Sequence, residues 1–175
     1  NTEGEYRLIL VDNGSTEALH DFFRDIPGAV ALRSETNLGF AGGVNLGLRV
    51  AEGHVLLLNN DTLVPRGWLT SLCAALESAP DIGMIGPMSN YVSGSQLIPE
   101  LRFESLDDIN DYAAQRREEY QGRLRDVARL VGFCMLIRDH VAAEVGLLDE
   151  AFGLGNFEDD DYCVRVLRAG YRLCV

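Results

Sequence analysis

Short apolar runs alternate along this chain with segments of helical character, and polar turn residues end the runs abruptly. The clearest run, residues 54–58, stops at an Asn-Asn-Asp sequence, and residues 6–11 stop at Asp12. Runs of this length and composition predict strands that are buried on both faces. Because strands that alternate with helices pair mainly in parallel, we predict an α/β fold whose mainly parallel sheet is covered by helices on both faces.

The same pattern places the other elements along a single domain of residues 1–175. We predict helices over residues 16–24, from the loop 37–43 through Val50, and over 65–78, 139–145 and 162–169, and strands over residues 6–11, 29–32, 54–58, 82–86 and 131–137 and from Tyr171. Residues 100–130 differ, because they mix charges of both signs and favour helix. We interpret this segment as a solvated helical excursion over the sheet.

Composition excludes some classes of partner and location. The formal net charge of −12 argues against a nucleic-acid partner, since proteins that bind nucleic acid present a basic surface. The sequence shows neither a signal peptide nor an apolar run of membrane-spanning length, which favours a cytoplasmic location. The four cysteines lack metal-type spacing and lie among apolar residues, so we expect reduced, buried thiols.

Polar residues at the ends of predicted strands are the first candidates for a site. In open α/β sheets, ligands bind beyond the carboxyl ends of the strands, where Asp12, Asn60 and Asp61 are predicted to lie. A carboxylate there can hydrogen-bond a nucleobase or ribose, or ligate a divalent cation beside a diphosphate. Asn and Asp are also common turn residues, so ordinary turn chemistry explains each position equally well.

A run of four carboxylates at residues 158–161 is the second candidate. Like charges repel, and a fold holds them together where a cation, a substrate or a helix N-terminus offsets the repulsion. An acidic first turn of a helix is the alternative, because Asp and Glu favour the positive end of the helix dipole. The run alone does not decide between a binding site and a helix start.

The chain resembles the family 2 glycosyltransferases, and most closely the rhamnosyltransferase-like members, in four motifs that follow the family's order. They are Val-Asp-Asn-Gly-Ser-Thr at 11–16, Asn-Leu-Gly-Phe-Ala-Gly-Gly-Val-Asn-Leu-Gly at 37–47, Leu-Asn-Asn-Asp-Thr at 58–62 and Phe-Glu-Asp-Asp-Asp-Tyr at 157–162. The resemblance implies a GT-A fold and inverting transfer of a sugar from a nucleotide-diphosphate-sugar donor, such as dTDP-rhamnose or a UDP-sugar. It further implies a divalent metal, Mn²⁺ or Mg²⁺, and a saccharide or lipid-linked acceptor in surface polysaccharide assembly.

On the donor side, the resemblance assigns roles residue by residue. Asp12 matches the carboxylate that contacts the donor base, and Asn37 and Asn45 match positions that line the nucleotide side. Asp61 matches the last carboxylate of the family's DxD motif, the metal ligand, and Asn60 beside it belongs to the donor side. The first DxD position is Asn59 here, so the metal is expected to rest on Asp61, the diphosphate and water.

On the acceptor side, the resemblance divides the acidic run. Asp159 matches the catalytic base and Glu158 its neighbour, which helps to position acceptor or base. Asp160 and Asp161 are assigned mainly to the start of a helix, either as caps or as partners of Arg165, with the i, i+4 spacing of Asp161 the favourable one. A base on the acceptor and a cation on the leaving diphosphate are what an inverting transfer requires.

The resemblance also implies that part of the family's domain is absent. Members begin with a strand and helix ahead of the strand that ends at Asp12, so we expect this chain to be a fragment of a longer enzyme. A vacant strand position exposes backbone and apolar surface. We therefore expect copies to associate through the incomplete sheet, and any contact with the inner face of the membrane to involve parts outside this chain.

Three alternatives remain beside this interpretation. Residues 39–43 do not form the G-x-G-x-x-G of a dinucleotide-dependent oxidoreductase, which disfavours that class. A sugar nucleotidyltransferase calls for a basic, glycine-rich phosphate loop after its first strand, and none is present. A catalytically incomplete fragment that binds a nucleotide sugar or carbohydrate remains open.

Overall fold

The computed structural model describes residues 2–16 and 19–175, which form an α/β fold. Its strands are β1 (Ile9–Asn13), β2 (Val30–Ser34), β3 (Val55–Leu58), β4 (Ile82–Ile85), β5 (Asp126–Val127), β6 (Cys134–Ile137) and β7 (Arg172–Cys174). Its α-helices are α1 (Leu19–Arg24), α2 (Gly39–Leu48), α3 (Trp68–Glu77), α4 (Leu106–Tyr120), α5 (Asp139–Val145) and α6 (Glu158–Arg168). The predicted start of the first helix includes residues 17 and 18, which lie outside the described residues.

The described strands form two sheets. A five-stranded sheet has the order β3-β6-β4-β7-β5, and β1 pairs with β2 in a separate parallel pair. The α/β class is confirmed, but strand direction is mixed where the sequence predicts a mainly parallel sheet. Strand β6 runs antiparallel to β3 and β4, and β5 runs antiparallel to β7.

The reversal of β6 follows from where the chain re-enters the sheet. The backbone N–H of Asn59, just beyond β3, donates to the carbonyl of Phe133, just before β6, at 2.8 Å. Strand β6 therefore begins at the edge where β3 ends. A strand that enters from the same edge must run in the opposite direction, whereas a parallel strand needs a crossover to the other edge.

Helices cover both faces of the five-stranded sheet, as predicted. One face packs against α2, α5 and α6, with Met84, Met135 and Ile137 pointing into that core. The other packs against α3, with Ile82 and Leu136 pointing into it. Successive residues of β6 alternate between the two cores, and in β4 a register shift between Ile82 and Met84 places these residues in opposite cores. Both strands therefore read as continuous apolar runs.

Helix α2 joins the small sheet to the large one. Among the described residues, β1 and β3 do not pair, so no ladder of hydrogen bonds connects the two sheets. Helix α2 packs against β1 and β2, and its Ala41 lies in the core of the large sheet together with Met135. The position of the β1–β2 pair therefore depends on α2.

The helical excursion is shorter than predicted. Helix α4 starts with a capping box between Ser105 and Asp108 and ends at Tyr120. Gly122, at φ +72°, turns the chain, and residues 126–127 then form β5 instead of continuing the helix. The mixed charges of residues 100–130 gave no signal for this strand, because β5 is short and only partly buried.

Two further expectations can be compared with the described residues. The four cysteines are free thiols, and burial raises the pKa of Cys134 to about 12 and that of Cys163 to about 11. No helix in the described parts of the chain has the length and apolar character needed to cross a membrane.

A buried arginine ties α3 to the large sheet. Arg138, directly after β6, donates from Nε to the carbonyl of Ile82 at 2.8 Å and from Nη2 to the carbonyls of Ala79, at 2.8 Å, and Leu76. Leu76 is near the end of α3, where helix carbonyls lack partners within the helix and the dipole favours a cation. One side chain thus donates to three carbonyls, on α3, on the turn after it and on β4.

We expect Arg138→Met to lower the free energy of unfolding by about 3 kcal/mol, because each buried carbonyl left without a donor costs about 1 kcal/mol or more. Urea unfolding monitored by circular dichroism measures the change. Arg168→Met, at an exposed arginine in the last turn of α6, is the matched control and should stay within about 0.5 kcal/mol of the parent. A similar small change for Arg138→Met would contradict the role given to this residue.

Candidate active site

An open cavity of about 420 Å³ lies where α6 begins, beside the segment that leads into β6. Its lining combines acidic side chains, aromatic rings and one arginine: Phe40, Asn59, Arg129, Val131, Gly132, Phe133, Asn156, Phe157, Glu158, Asp159 and Asp160. Carboxylates beside apolar ring faces suit a ligand with hydroxyl groups on an apolar frame. This cavity contains both residues predicted to serve the acceptor.

The loop before α6 aims the acidic run at this cavity. Gly155, Asn156 and Phe157 have φ values of +151°, +95° and +74°, and α6 starts directly after them at Glu158. The helix therefore begins four residues earlier than predicted, and all four carboxylates lie in its first turn. Positive φ at non-glycine residues is costly and is often found at functional sites. The helix-start interpretation of the run is confirmed, and it coexists with a cavity.

Two backbone N–H groups orient the carboxylate of Asp159. The N–H of Gly132 donates to Oδ2 and the N–H of Asp160 donates to Oδ1, each at 2.9 Å. A carboxylate offers about four acceptor positions, so two stay open toward the cavity. Asp159 is thus held in one orientation and can still accept a hydrogen bond from a ligand.

Glu158 lines the same cavity and carries a buried, unsatisfied oxygen. The residue is 6% exposed, and its Oε2 has no hydrogen-bond partner among the described residues. A buried carboxylate oxygen without a donor is unfavourable, so such an atom marks a place where a ligand hydroxyl can donate. Glu158 and Asp159 together present acceptor oxygens to one volume.

The other two acids of the first turn are paired with arginines. Asp161 accepts from Nε of Arg165 at 2.8 Å, the i, i+4 pair that the sequence predicts. Asp160 forms an ion pair with Arg129, a residue that the sequence analysis did not single out. These two cations partly offset the charge of the acidic turn, which leaves Glu158 and Asp159 as its unpaired members.

Asp12 lies within β1 and outside the cavity lining. It is 2% exposed, its Oδ1 accepts from the N–H of Ser15 at 2.9 Å, and its Oδ2 lies 3.7 Å from Arg33 on β2. The hydrogen bonds from the backbone and hydroxyl of Ser15, followed by the charge of Arg33, lower the pKa of Asp12. Its Oδ2 has no hydrogen-bond donor among the described residues, so this charged oxygen can still accept one.

A clasp formed by Asn13 and Asn37 connects β1 to the start of α2. Asn13 donates from Nδ2 to the carbonyl of Gly39 at 2.8 Å and to Oδ1 of Asn37 at 3.2 Å, and its Oδ1 accepts from the N–H of Leu38 at 3.0 Å. Asn37 also accepts from the N–H of Gly39 at 2.9 Å. Asn13 was not predicted as a site residue, although its place beside Asp12 in the first motif was the available signal.

The clasp holds the start of α2, which is on the predicted donor side, against the loop that leads into α6 at the cavity. A Cβ on Gly39 would lie 2.1 Å from the carbonyl oxygen of Gly153, and the next residue, Phe40, donates its N–H to the carbonyl of Leu154 at 3.3 Å. Phe40 itself lines the cavity. Only glycine at position 39 permits this approach.

Asn45 lies away from the cavity, with its amide engaged inside the protein. Nδ2 donates to the carbonyl of Leu148 at 2.9 Å and to Glu150 at 2.8 Å, and Oδ1 accepts from the N–H of Leu148 at 2.9 Å. The residue is 1% exposed. Its contacts suit a residue that holds α2 against the chain before α6, and the structure does not bring it together with Glu158 and Asp159.

The predicted metal ligand lies on the turn after β3. Asn60 and Asp61 are exposed there, and Asp61 has no hydrogen bond or ion pair with any described residue. Asn59, the residue before them, lines the cavity together with Asp159, so the end of β3 and the start of α6 meet at one edge. No group of three or more potential ligand side chains occurs in the described residues.

This chain is similar in sequence and in fold to known proteins. The model of the family described as "Glycosyl transferase family 2" matches residues 1–146. An uncharacterized protein of Mycobacterium tuberculosis is 33% identical over 143 residues, which cover 78% of this chain and 50% of that protein. An N-acetylglucosaminyl-diphospho-decaprenol L-rhamnosyltransferase of the same species is 26% identical over 196 residues, 97% of this chain and 64% of the relative. The chain thus spans about half to two thirds of these relatives.

Solved structures share the fold. A mannosyltransferase from Pyrobaculum calidifontis, in complex with GDP-Man and Mn²⁺, superposes with a TM-score of 0.61 at 20% identity over 94% of this chain and 44% of its own. GalNAc-T7, with UDP, GalNAc and Mn²⁺, superposes with a TM-score of 0.68 at 16% identity over 95% of this chain and 35% of its own. Both are glycosyltransferases of the GT-A fold, and the predicted fold class is confirmed.

We expect Asn13→Ala to loosen the start of α2, because three hydrogen bonds that hold it to β1 are lost. The free energy of unfolding should fall by about 1–3 kcal/mol, and the amide of Leu38 should exchange with solvent faster by NMR. Asn90→Ala, at an exposed asparagine, is the control and should change neither quantity. Unchanged exchange at Leu38 in Asn13→Ala would show that the clasp does not hold the helix start.

Proposed function

This chain belongs to glycosyl transferase family 2, and we propose that it catalyses inverting transfer of a sugar from a nucleotide-diphosphate-sugar donor to a hydroxyl of a saccharide or lipid-linked acceptor. The observation that carries the proposal is the pair of Asp159 and Glu158 in one cavity. Asp159 is oriented by two backbone N–H groups, and Glu158 presents a buried oxygen without a donor. A carboxylate held in a fixed orientation at the wall of a cavity suits a general base.

The proposed step uses Asp159 as the base. As the acceptor oxygen forms its bond to the anomeric carbon, its proton passes to the Asp159 carboxylate. The bond between the anomeric carbon and the diphosphate oxygen breaks, and the electron pair leaves with the nucleoside diphosphate. Because attack and departure occur on opposite faces, the configuration at this carbon inverts. Glu158 Oε2 accepts a hydrogen bond from a second hydroxyl of the sugar acceptor and thereby orients the hydroxyl that reacts.

The phenylalanines of the cavity support binding of a sugar in this reaction. Phe40, Phe133 and Phe157 line the same volume as the two carboxylates. Flat aromatic faces pack well against the apolar face of a sugar ring, while the carboxylates bind its hydroxyl groups.

On the donor side, we propose that Asp12 binds the base of the nucleotide through its free Oδ2, with Asn37 and Asn60 close to the nucleotide. Asn45 acts indirectly, since it holds α2 and the loop after α5 together. A relative that bears the name of a rhamnosyltransferase supports dTDP-rhamnose as the donor, and a solved neighbour with bound UDP supports a UDP-sugar. The lipid-linked acceptor in the name of the same relative supports a role in surface polysaccharide assembly.

The residues present fit a divalent metal that binds together with the donor. Asp61 is an exposed carboxylate without a described partner, and amide oxygens of Asn59 and Asn60 lie next to it in sequence. Mg²⁺ and Mn²⁺ are commonly held by one or two carboxylates plus substrate phosphates and water. When bound, the metal would neutralise charge on the departing diphosphate. Manganese in two structural neighbours supports this part of the proposal.

A second candidate function is binding of a nucleotide sugar or carbohydrate without turnover. It is favoured by one observation: Asp12, Asn37 and Asp61 do not line the cavity that contains Asp159. The division of the sheet between β1 and β3 lies on this donor side. Saturable donor binding by this chain without transfer or donor hydrolysis would favour this candidate.

We expect Asp159→Asn to lower the rate of transfer by about 10²- to 10⁴-fold, the range that a general base contributes. Product formation from radiolabelled UDP-sugars and dTDP-rhamnose with Mn²⁺ measures it, and thermal unfolding checks that the fold is intact. Asp161→Asn changes the same helical turn outside the cavity and should retain most of the activity. An active enzyme that tolerates Asp159→Asn would refute the assigned base.

We expect Mn²⁺ to bind weakly alone and more tightly when UDP or dTDP is present, because Asp61 is the only carboxylate proposed as a ligand. Asp61→Asn should weaken Mn²⁺ binding in the presence of the nucleotide at least roughly tenfold, the size that even an outer-shell change produces. Electron paramagnetic resonance of free Mn²⁺ measures the affinity. Asp107→Asn, an exposed carboxylate on α4, is the control, and an equal effect of both changes would remove Asp61 from the metal site.

A further inference from the structure

Two arginines converge on one tyrosine at the C-terminal end of α4. The guanidinium carbon of Arg116 lies 4.1 Å from the centroid of the Tyr120 ring, and that of Arg123 lies 5.7 Å from the same centroid. Arg116 also lies 6.0 Å from the ring of Tyr112, which packs edge-on against Phe103. The rings hold the two cations near each other through cation–π contact.

These two cations lack a carboxylate partner. Among the described residues, neither Arg116 nor Arg123 has an acidic group within 4.0 Å or makes a side-chain hydrogen bond, although the chain carries 27 acidic residues against 15 basic ones. Nearby arginines are engaged: Arg117 donates to the carbonyl of Arg66, and Arg129 pairs with Asp160. Two adjacent uncompensated cations in an acidic protein mark a place for an external anion.

The segment that carries this cluster is fixed at both ends to parts of the candidate active site. Near its start, Asn110 accepts from the N–H of Arg66 at 2.9 Å, on the loop that follows Asp61. Beyond its end, β5 leads directly to Arg129 in the cavity wall. Arg123 and Arg129 are six positions apart in the chain, so their Cα atoms are at most about 22 Å apart. A ligand in the cavity can reach the cluster if it extends toward α4.

The chemistry of the cluster favours a phosphate group over an anionic membrane. A guanidinium presents paired donors that match phosphate oxygens, and stacking on a ring fixes its plane. A membrane surface calls for a broadly basic face, whereas α4 also carries Asp107, Asp108, Asp111, Glu118 and Glu119. The two guanidinium carbons lie 4.1 Å and 5.7 Å from the centroid of one ring, so they form a local pair of cations and not a broad basic face.

We propose that Arg116, Tyr120 and Arg123 form a binding site for the diphosphate of the acceptor, so that the acceptor is a sugar diphosphate whose sugar enters the cavity at Asp159. This assignment rests on the proposed function, because it needs an acceptor in that cavity. The cluster binds the phosphates while the sugar hydroxyls meet the carboxylates of α6. Neutral saccharides of the same structure bind more weakly.

Binding of inorganic pyrophosphate tests the site without requiring activity. Isothermal titration calorimetry in the presence of EDTA, which removes metal from the donor side, should give at least about tenfold weaker binding for Arg116→Gln/Arg123→Gln than for the parent chain. The control, Arg24→Gln/Arg168→Gln, removes the same charge from exposed positions on α1 and α6 and should bind as the parent does. Equal binding by the parent and both double variants would overturn the proposal.

Transfer assays and vesicles then identify the source of the phosphate. With an alkyl-diphosphate glycoside as acceptor, Arg116→Gln/Arg123→Gln should raise KM about tenfold and leave kcat unchanged, whereas KM for the neutral alkyl glycoside of the same sugar should not change. Arginine-dependent binding to phosphatidylglycerol vesicles without an effect on pyrophosphate would overturn the proposal in favour of a membrane. Arginine-dependent pyrophosphate binding in a chain that transfers no sugar would overturn the acceptor assignment and the proposed function, but support an anion site.

Discussion

A pair of hydrogen bonds between the Asn45 side chain and the Leu148 backbone holds α2, and with it the β1–β2 pair, to the rest of the molecule. The β1–β2 pair has no ladder of hydrogen bonds to the large sheet, so its place is set by α2. The buried Asn45 amide accepts from the backbone of Leu148 and donates to the same residue's carbonyl, 103 positions along the chain. Because the amide is buried, leaving it without these hydrogen bonds would cost free energy of folding. Its neighbour Glu150 accepts from the same amide, which lowers the pKa of that carboxyl.

The candidate site is assembled from segments that this fastening brings together. The start of α2 packs closely against the loop at Gly153, because Gly39 has no side chain. That loop leads into α6. The segment before β6 supplies the Gly132 N–H that orients Asp159. The residues proposed for the donor side and those proposed for the acceptor side therefore belong to one contact network. A change at the β1–α2 junction can alter the position of Asp159, the proposed base, without any direct contact.

Much of the fold could be predicted from the sequence, because apolar runs indicate buried strands. The acidic run indicated a helix start, and in the structure it begins α6 beside a cavity; its acceptor role stays a prediction. The direction of β6 could not, since direction depends on the edge at which residues 86–133 return. The start of α6 was placed too late because a helix preceded by Phe157 in a left-handed conformation gives no recognisable cap. The clasp of Asn13 and the pairing of Arg129 with Asp160 join distant segments, which local patterns do not encode.

The reversed strand also sets the order in which the sheet can form during synthesis. Among the described residues, β3 pairs with β6 alone, and β4 lies between β6 and β7. Both strands leave the ribosome well before their partners, and the long α4 segment is made in between. Until then the nascent chain carries two apolar strands with unpaired edges, a state prone to aggregation. This topology therefore delays the burial of β3 and β4 until residues 134–174 have been made, however stable the finished sheet becomes.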